Sequence, residues 1–498
     1  MWLSFPHERA WTLGGIMDHL QIRGNKLQMF PRGCTRGGNV CHINNVGRVL
    51  QTIDELEVSC LYISSKLSDQ MVTLMEQQQI RKLVIRSCQA HPKVMEKLLL
   101  MEQTATTTTD DDYKSDREHQ NPSPPQRRNL VTHLEIHKTS KLDVNCMKAI
   151  CRLSNLQSLT LNVVPYHLES LFPLLSNLES LHTLSLCGCP LERNEQCVEA
   201  CERYLSASNN NCHQYEQRQQ QQQNPPTSPR LRNLSFKCCR LSDGAAQRLV
   251  GAMRRMKYLE KLDLVGNGTG HLGLDALGRL LSSPWVEELV VLDVSYQTGD
   301  LGDVSTFANA LQYNKTLKVL RLAGNSLGNA NVQLLARALA KNTSLNDLDL
   351  SANSVGDRGL EALIQTMEQN QALTTLSLKY NAFADLSCLE AVLRSHNYSL
   401  QRLHHSCKVR SPSMTTTADG SRSTATVMVS GGERISYYLR LNQGGRILLK
   451  KDENCTPLGL WPMVLERNSN FPTGNFDAIF FLLRHSSILF AAGTNMMT

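Results

Sequence analysis

A leucine pattern that returns every 28 residues constrains this chain more than any other feature. The segments LKVLRLAGNSL, LNDLDLSANSV and LTTLSLKYNAF begin at Leu317, Leu345 and Leu373, so both intervals are 28 residues. Each segment fits the template L-x-x-L-x-L-x-x-N-x-φ, in which φ is an apolar residue. A fixed period of about 20 to 50 residues is typical of a stacked repeat array rather than of independent globular domains.

The same template fits segments further toward the N-terminus, with decreasing fidelity. Those segments begin at Leu289, Leu259, Leu231, Leu181, Leu156, Val131, Ile80 and Ile53. LQRL, from Leu400, is a candidate for one more repeat. We therefore predict a repeat array of about eleven units over residues 51–405.

The template also predicts the structure of each unit. Alternation of leucines places two of them on one side of a short strand. The residues after the ninth position switch to helical spacing, as in Val332, Leu335, Ala336 and Leu339. Each unit is thus predicted to be a strand, a loop, a helix and a turn, and stacking of neighbouring units forms the core.

Two sets of asparagines recur with the same period. Asparagine at the ninth position is expected to bind buried loop amides of neighbouring units, for which cysteine or glutamine in other units is a poorer substitute. Asn314, Asn342 and Asn370 precede the strand segments. We expect these three residues to end the helices in the left-handed conformation.

This pattern resembles leucine-rich repeat proteins of the long-repeat, ribonuclease-inhibitor-like subtype. The resemblance covers about residues 50–405 and is strongest over 259–385. It implies an α/β solenoid that is curved, with parallel strands on the concave side and helices on the convex side. It also implies a non-enzymatic scaffold that holds a protein partner on the concave face.

The side chains between the strand leucines are the candidate binding residues. Equivalent positions of stacked strands form columns about 4.8 Å apart, which places Asp263 beside Asp293 and Arg321 between Asp293 and Asp349. Adjacent like charges favour a basic partner or raise one pKa, and Arg321 is expected to bridge its two neighbours. The candidate partner-binding residues are Asp263, Asp293, Tyr296, Arg321, Asp347, Asp349, Lys379 and Tyr380. The alternative interpretation is that these are ordinary solvated strand residues of such repeats.

A glycine-rich segment offers a competing function. Gly268, Gly270 and Gly273 satisfy G-x-G-x-x-G, the pattern of a dinucleotide-phosphate loop. That loop works where strand order reverses in a doubly wound sheet, whereas a solenoid has no such reversal. We therefore predict a repeat loop and no cofactor. The sequence also lacks a phosphate-binding loop, a nucleophile elbow, a zinc-protease motif and a kinase signature, so we predict no catalytic residues and no enzyme.

The 16 cysteines are irregularly spaced and are predicted to be reduced thiols. Four of them, Cys187, Cys189, Cys197 and Cys201, are close enough in sequence to be considered as zinc ligands. However, Cys189 takes the ninth position of its repeat, and Cys197 and Cys201 fall on the inward face of the helix. We predict buried thiols and no metal site.

Several segments fall outside the repeats. Residues 1–50 are predicted to be an N-terminal flank with partial disorder, and the polar stretches at about 103–129 and 206–230 to be disordered inserts. Residues 406–433 are a linker, and 434–498 are a C-terminal helical segment in which Gly444 and Gly445 end a short helix. This segment is expected either to cap the array or to dock a partner helix.

Composition restricts the partner and the compartment. The net charge of +7 includes no dense Lys/Arg run, so we expect no nucleic-acid partner. No signal-peptide pattern or apolar stretch of about 20 residues is present. We therefore expect a soluble cytoplasmic protein without a membrane partner, with the nucleus as an alternative location. The oligomeric state stays open.

Two other functions are compatible with the repeats. One family of GTPase-activating proteins uses this repeat type, but this chain lacks the strongly acidic tail that such proteins carry. The other alternative is a substrate receptor of a ubiquitin ligase, with the C-terminal segment as its docking box. No F-box-like pattern precedes the repeats.

Overall fold

The computed structural model describes residues 20–23, 26–29, 40–41, 54–101, 130–139, 142–162, 168–218, 231–406, 431–446 and 479. The chain divides into two compact units. We call Met1–Leu241 the N-terminal body and Ser242–Thr498 the C-terminal body.

The strands of the N-terminal body form one main sheet. They are β1 Leu20–Arg23, β2 Lys26–Met29, β3 Val40–Cys41, β4 Glu55–Ser59, β5 Tyr62–Ile63, β6 Lys82–Arg86, β7 Gln89–Ala90, β8 His133–His137, β9 Ser158–Asn162, β10 Thr183–Cys187 and β11 Asn233–Lys237. From β2 onward, the strands of the main sheet pair in parallel and in chain order. β1 pairs antiparallel with both β2 and β3, and β5 with β7 forms a separate parallel pair.

Helices connect these strands. They are α1 Ser65–Gln78, α2 Pro92–Leu100, α3 Val144–Ile150, α4 Leu168–Leu175 and α5 Glu195–Arg218. Neighbouring helices pack against one another. The strand leucines face them, as Leu159 and Leu161 show by being fully buried.

The C-terminal body repeats this arrangement with shorter strands. The strands are β12 Lys261–Asp263, β13 Val291–Asp293, β14 Val319–Arg321, β15 Asp347–Asp349, β16 Thr375–Ser377 and β17 Arg402–His404. The helices are α6 Asp243–Ala252, α7 His271–Leu281, α8 Ser305–Tyr313, α9 Gly328–Lys341, α10 Asp357–Gln369, α11 Ser387–Ser395 and α12 Gly431–Gln443. All strand pairs from β12 to β17 are parallel and follow chain order.

These elements confirm the predicted α/β solenoid of strand–loop–helix repeats. Leu400 does start a further strand, β17. Within the residues that the structure describes, no helix is long and apolar enough to cross a bilayer.

Three segments differ from the predicted boundaries. Helix α12 begins at Gly431, inside the predicted linker 406–433. β2 lies within the predicted N-terminal flank, yet it pairs in parallel with β4 and buries Leu27 completely. The repeat sheet therefore begins before residue 51. Helix α5 continues to Arg218 and so enters the segment 206–230 that we predicted as disordered. Residues 206–218 contain no glycine or proline, and the first proline comes only at Pro225, so nothing in this stretch breaks the helix. The insert at 103–129 lies outside the described residues.

The ninth-position asparagines join consecutive repeats of the C-terminal body, as predicted. The Asn353 side chain donates to the carbonyl oxygen of Leu322 at 2.8 Å and accepts from the backbone N–H of Asn325 at 2.9 Å and of Leu327 at 3.4 Å. Gln297 also donates to one buried carbonyl and accepts from one buried N–H. Glutamine therefore keeps both functions, although its side chain accepts one N–H where that of Asn353 accepts two.

Cysteine fills the same position in three repeats of the N-terminal body. The thiols of Cys88, Cys189 and Cys239 each donate to a carbonyl oxygen of the preceding repeat, at 3.1–3.5 Å. A thiol lacks the amide's strong acceptor. Accordingly, the N–H of Leu191 donates to the backbone carbonyl of Cys239 instead of to a side chain. Cysteine thus makes half of the contacts that asparagine makes.

The asparagines at the helix ends do not have the predicted conformation. Asn314, Asn342 and Asn370 have φ between −76° and −69° and an extended backbone, not a left-handed one. Their side chains explain why asparagine recurs here. Asn342, for example, donates to the carbonyls of Leu311 and Asn314 and accepts from the N–H of Leu345. These residues form a second ladder of side-chain amides between repeats.

Helix α12 extends that second ladder beyond the last strand. Asn442 donates to the carbonyls of Asn397 and Leu400 at 3.2 and 2.8 Å, as the repeat asparagines do. Gln443 donates to the carbonyl of Gln401. Arg446 is buried, donates to the carbonyls of Leu393 and Arg394, and stacks on Tyr398. The start of the C-terminal segment therefore packs on the end of the array.

Candidate functional site

The exposed side of the sheet carries the predicted site residues. Leu320 and Leu348 of the strands are buried, while the residues on either side of each point the other way and are half-buried. We call this side the open face. The register pairs Asp263 with Asp293 and then Asp293 with Arg321.

The open face of the C-terminal body has two columns, as the spacing predicts. The third-position column is Lys261, Val291, Val319, Asp347, Thr375 and Arg402. The fifth-position column is Asp263, Asp293, Arg321, Asp349, Ser377 and His404. At the end of the third-position column, the Arg402 side chain donates to the Thr375 hydroxyl at 3.0 Å.

The fifth-position aspartates end their own strands. The carboxylate oxygens of Asp263, Asp293 and Asp349 each accept the backbone N–H two residues later, at 2.9–3.1 Å. Such local hydrogen bonds are common for aspartate where a strand turns into a loop. They tie one carboxylate oxygen of each residue to its own chain, and Asp293 also has a hydrogen bond from the Ser295 side chain.

Arg321 does not bridge the two aspartates as predicted. It is the register neighbour of both Asp293 and Asp349, but no ion pair joins it to either one in the part of the chain that the structure describes. Both aspartates turn one oxygen toward their own backbone, and this orientation competes with a bridge to the neighbouring strand.

The pair of like charges has the predicted electrostatic consequence, although the main cause is different. Burial is the largest effect that raises the pKa of the Asp293 carboxyl above its usual value. Hydrogen bonds from Ser295 and the charge of Arg321 oppose the shift, while the charge of Asp263 adds to it. A cation placed beside Asp293 would therefore favour the charged form of its carboxyl.

Two tyrosines project beside these columns. Tyr296 and Tyr380 are 59% and 75% exposed, and both have positive φ, 58° and 57°. The equivalent residue of an intervening repeat is Gly324, with φ 69°. Because glycine adopts this conformation without strain, tyrosine does not make the backbone conformation at these two positions more favourable. Lys379, the residue before Tyr380, is also exposed.

The open face of the N-terminal body carries a charge network that the sequence reasoning missed. Glu57 contacts Lys26 and lies 3.2 Å from Arg86, and Glu135 lies 3.0 Å from Lys82, 3.3 Å from Arg86 and 3.0 Å from His137. Burial alone would raise the pKa of Glu57 and of Glu135. However, hydrogen bonds from Lys26 and Gln28 to the first, and from His137 and Lys82 to the second, hold both pKa values below their usual range.

The glycine-rich segment is a helix N-terminus that the protein itself occupies. The Asp243 carboxylate accepts the backbone N–H groups of Gly270, Leu272 and Gly273 at 2.7–3.0 Å. A Cβ atom at Gly270 would lie 2.8 Å from this carboxylate, and one at Gly273 would lie 2.6 Å from Thr269. The glycines therefore make room for a carboxylate from the preceding helix, which takes the place that a phosphate would need.

Three of the four cysteines considered as zinc ligands lie in the core, while Cys187 is only half-buried. Cys189, Cys197 and Cys201 are buried, and burial raises the pKa of Cys197 to about 12 and that of Cys201 well above its usual value. Such thiols stay protonated, whereas metal ligation needs thiolates. In the described ranges, no group of three or more His, Cys, Asp and Glu residues is placed to hold a metal ion.

Comparisons with known proteins give the following matches. The family model described as Leucine Rich repeat matches residues 341–363. NACHT, LRR and PYD domains-containing protein 12 of Homo sapiens is 32% identical over 105 residues, which are 21% of this chain and 10% of that protein. The chain thus matches about a tenth of that relative's length.

Two solved structures are similar at lower identity. An internalin of Listeria monocytogenes is 14% identical, with a TM-score of 0.40, over 77% of this chain and 87% of that one. Leiomodin-1 actin-binding site 2 is 18% identical, with a TM-score of 0.24, over 30% of this chain and 77% of that one.

Proposed function

We propose that this chain, which is a leucine-rich repeat protein, is a non-enzymatic scaffold that holds a protein partner on the open face of its C-terminal body. The observation that carries the proposal is a difference in charge pairing. In the described residues, Asp263, Asp293, Arg321, Asp347 and Asp349 form no ion pair, whereas the carboxylates of the N-terminal body's network are paired with cations.

The proposed contact residues supply complementary kinds of contact. Asp263 and Asp293 present a concentrated negative charge to a basic group of the partner. Tyr296 and Tyr380 offer exposed aromatic surface, which is enriched in the centres of protein interfaces. Arg321, Asp347, Asp349 and Lys379 would set the orientation of the partner through further charge pairs.

The ribonuclease-inhibitor-like subtype is part of the same proposal. Its support is the 28-residue interval and the alternation of short strands with helices of up to 14 residues in the C-terminal body. The cytoplasm, with the nucleus as the alternative, is the proposed location. Its support is the thiol content, since the 11 cysteines whose side chains the structure describes are all free.

The position of helix α12 favours a capping role for the start of the C-terminal segment over a docking box. Ile435 and Leu441 are buried, and Asn442 is bonded to the last repeat. A docking box would need such apolar residues to be available to a partner. Most of the segment 434–498 lies outside the described residues.

The test is affinity capture from native extract with the full chain and with the Asp293→Lys/Asp349→Lys double variant. We expect the wild-type protein to retain a specific partner and the variant to lose it. A matched control, Thr160→Lys/Ser185→Lys, places two cations in the fifth-position column of the N-terminal body and should retain the partner. If the aspartate variant captures the partner unchanged, the proposed surface does not bind that partner.

A further inference from the structure

Besides the two columns of the open face, a third column of exposed side chains lies along the turns between helix and strand in the C-terminal body. Its members directly precede the position that Asn314 and Asn342 occupy in their repeats. The column consists of Arg255, Trp285, Tyr313, Lys341, Gln369 and His396. We call it the turn column, and it is separate from the open face.

Two neighbouring members of the turn column are aromatic and exposed. Trp285 and Tyr313 are 43% and 75% exposed and occupy equivalent positions of consecutive repeats. Val290, in the same turn as Trp285, is 38% exposed. Equivalent positions in other repeats hold polar residues, so the fold itself does not require an aromatic side chain there. Adjacent exposed apolar groups of this kind indicate a binding surface more often than isolated ones do.

Cations lie on both sides of this aromatic pair. Arg255 precedes Trp285 in the column and Lys341 follows Tyr313, and both are exposed. Neither forms an ion pair with any residue that the structure describes. Lys257 and Lys315, two residues beyond the column positions of their own turns, are exposed as well. Along four consecutive repeats, the turn column therefore presents a cation, two aromatic side chains and a second cation.

We infer that the turn column binds an acidic segment of a protein partner, with an apolar centre packed on Trp285 and Tyr313 and carboxylates placed at Arg255 and Lys341. Successive repeats are offset by roughly 5 to 10 Å, from strand spacing to helix spacing. Three intervals separate Arg255 from Lys341. An extended segment of roughly five to nine residues spans that distance.

A protein segment fits this surface better than an anionic membrane does. The exposed carboxylate of Glu287 lies two residues after Trp285, and Glu288 follows it. A layer of anionic headgroups would repel both glutamates, whereas a peptide can place a neutral or basic residue beside them. This inference does not depend on the proposed function of the open face, since the two surfaces share no residue.

The experiment measures binding of a fluorescein-labelled peptide, with aspartate pairs on both sides of a leucine-rich centre, to the full chain by fluorescence anisotropy. We expect tighter binding of this peptide than of the same peptide with lysines in place of the aspartates. Trp285→Ser/Tyr313→Ser and, separately, Arg255→Glu/Lys341→Glu should each weaken binding about tenfold or more. The second variant should also reduce the dependence of binding on salt concentration.

The control variant Gln369→Ser/His396→Ser changes two exposed members of the same column and should bind the peptide as the wild-type protein does. Because all of these residues are exposed, circular dichroism and the Tm should stay unchanged. Equal binding of the acidic and the basic peptide, or unchanged binding by both test variants, would overturn the inference. So would co-sedimentation with phosphatidylserine vesicles that requires Trp285 and Tyr313, if the acidic peptide does not bind.

Discussion

The two bodies are built from the same kind of repeat but use their polar residues in opposite ways. In the N-terminal body the open-face charges pair with one another, as Glu57 and Glu135 show, and cysteine joins the repeats with one donor. In the C-terminal body asparagine joins the repeats with donors and an acceptor, and the open-face charges form no ion pairs among the described residues. The C-terminal body therefore combines more hydrogen bonds between its repeats with open-face charges that are not held in ion pairs among the described residues.

The largest expected effect concerns the ninth-position asparagines, which join consecutive repeats of the C-terminal body. Asn353→Ala removes donors to Leu322 and Ser351 and leaves the N–H groups of Asn325 and Leu327 without their acceptor. Buried groups without partners cost about 1–3 kcal/mol each. We expect the free energy of unfolding of the C-terminal body to fall by about 3–5 kcal/mol, measured by urea denaturation. A loss below about 1 kcal/mol would show that the ladder does not stabilise the stack.

The equivalent change in the N-terminal body should be milder. Cys239→Ala removes one thiol donor to the Leu186 carbonyl and a small apolar volume, and the backbone carbonyl of residue 239 still accepts from Leu191. We expect a loss of about 1 kcal/mol in the same urea experiment. If this loss equals that of Asn353→Ala, cysteine and asparagine at the ninth position stabilise the two bodies equally, and the comparison is wrong.

The charge network should make the N-terminal body sensitive to acid. The pKa of Glu57 lies below its usual value of 4.5, so its contribution to stability is present above pH 4.5 and is lost as the pH falls through the folded-state pKa. Glu57→Gln should lower the free energy of unfolding by about 1 kcal/mol at pH 7, and this difference should shrink in acid. Denaturation of both proteins across the pH range checks it, and a difference that grows in acid contradicts the assignment.

The smallest effect concerns the like-charged pair of the C-terminal body. The pKa of Asp293 is raised, so its charged form disfavours the folded state at pH 7, and protonation relieves this penalty as the pH falls through the folded-state pKa. Asp293→Asn keeps an acceptor for the N–H of Ser295 and removes the repulsion from Asp263. We expect the variant to gain a few tenths of a kcal/mol at pH 7 (roughly the size of an exposed charge pair) and to lose this gain in acid. Destabilisation at pH 7 would show that the carboxylate is structurally required.

The sequence predicts most of the C-terminal body because its repeats are nearly uniform in length, at 27 to 30 residues. The leucine template locates β14, β15 and β16, and the 28-residue interval then gives the register that brings Asp293 beside Arg321. The prediction fails where side-chain direction decides the contact. Arg321 lies beside both aspartates in the register but forms no ion pair with either one among the described residues, and column position alone does not reveal this.

The N-terminal body is harder to predict because insertions make the spacing between its strands irregular, so the strand register cannot be obtained from a fixed interval. Residues 82–86 pair with 133–137, and the segment between them includes a polar insert of variable composition. The network around Glu135 depends on this pairing and on β2, whose short segment carries only Leu27 and Met29 as a repeat signal. The contact between the Asp243 carboxylate and the glycine-rich loop is equally hard to predict from the sequence. Asp243 belongs to the preceding repeat and lies 27 residues before Gly270.

Carbodiimide footprinting of carboxylates, with and without the captured partner, tests the central contrast most directly. In the free protein we expect Asp263 and Asp349 to label faster than Glu57 and Glu135, because the glutamates are held in ion pairs. When the partner binds, the aspartates of the C-terminal body should become protected and the glutamates should not change. Equal labelling of the two sets in the free protein, or protection of Glu57 and Glu135 alone, would contradict the account.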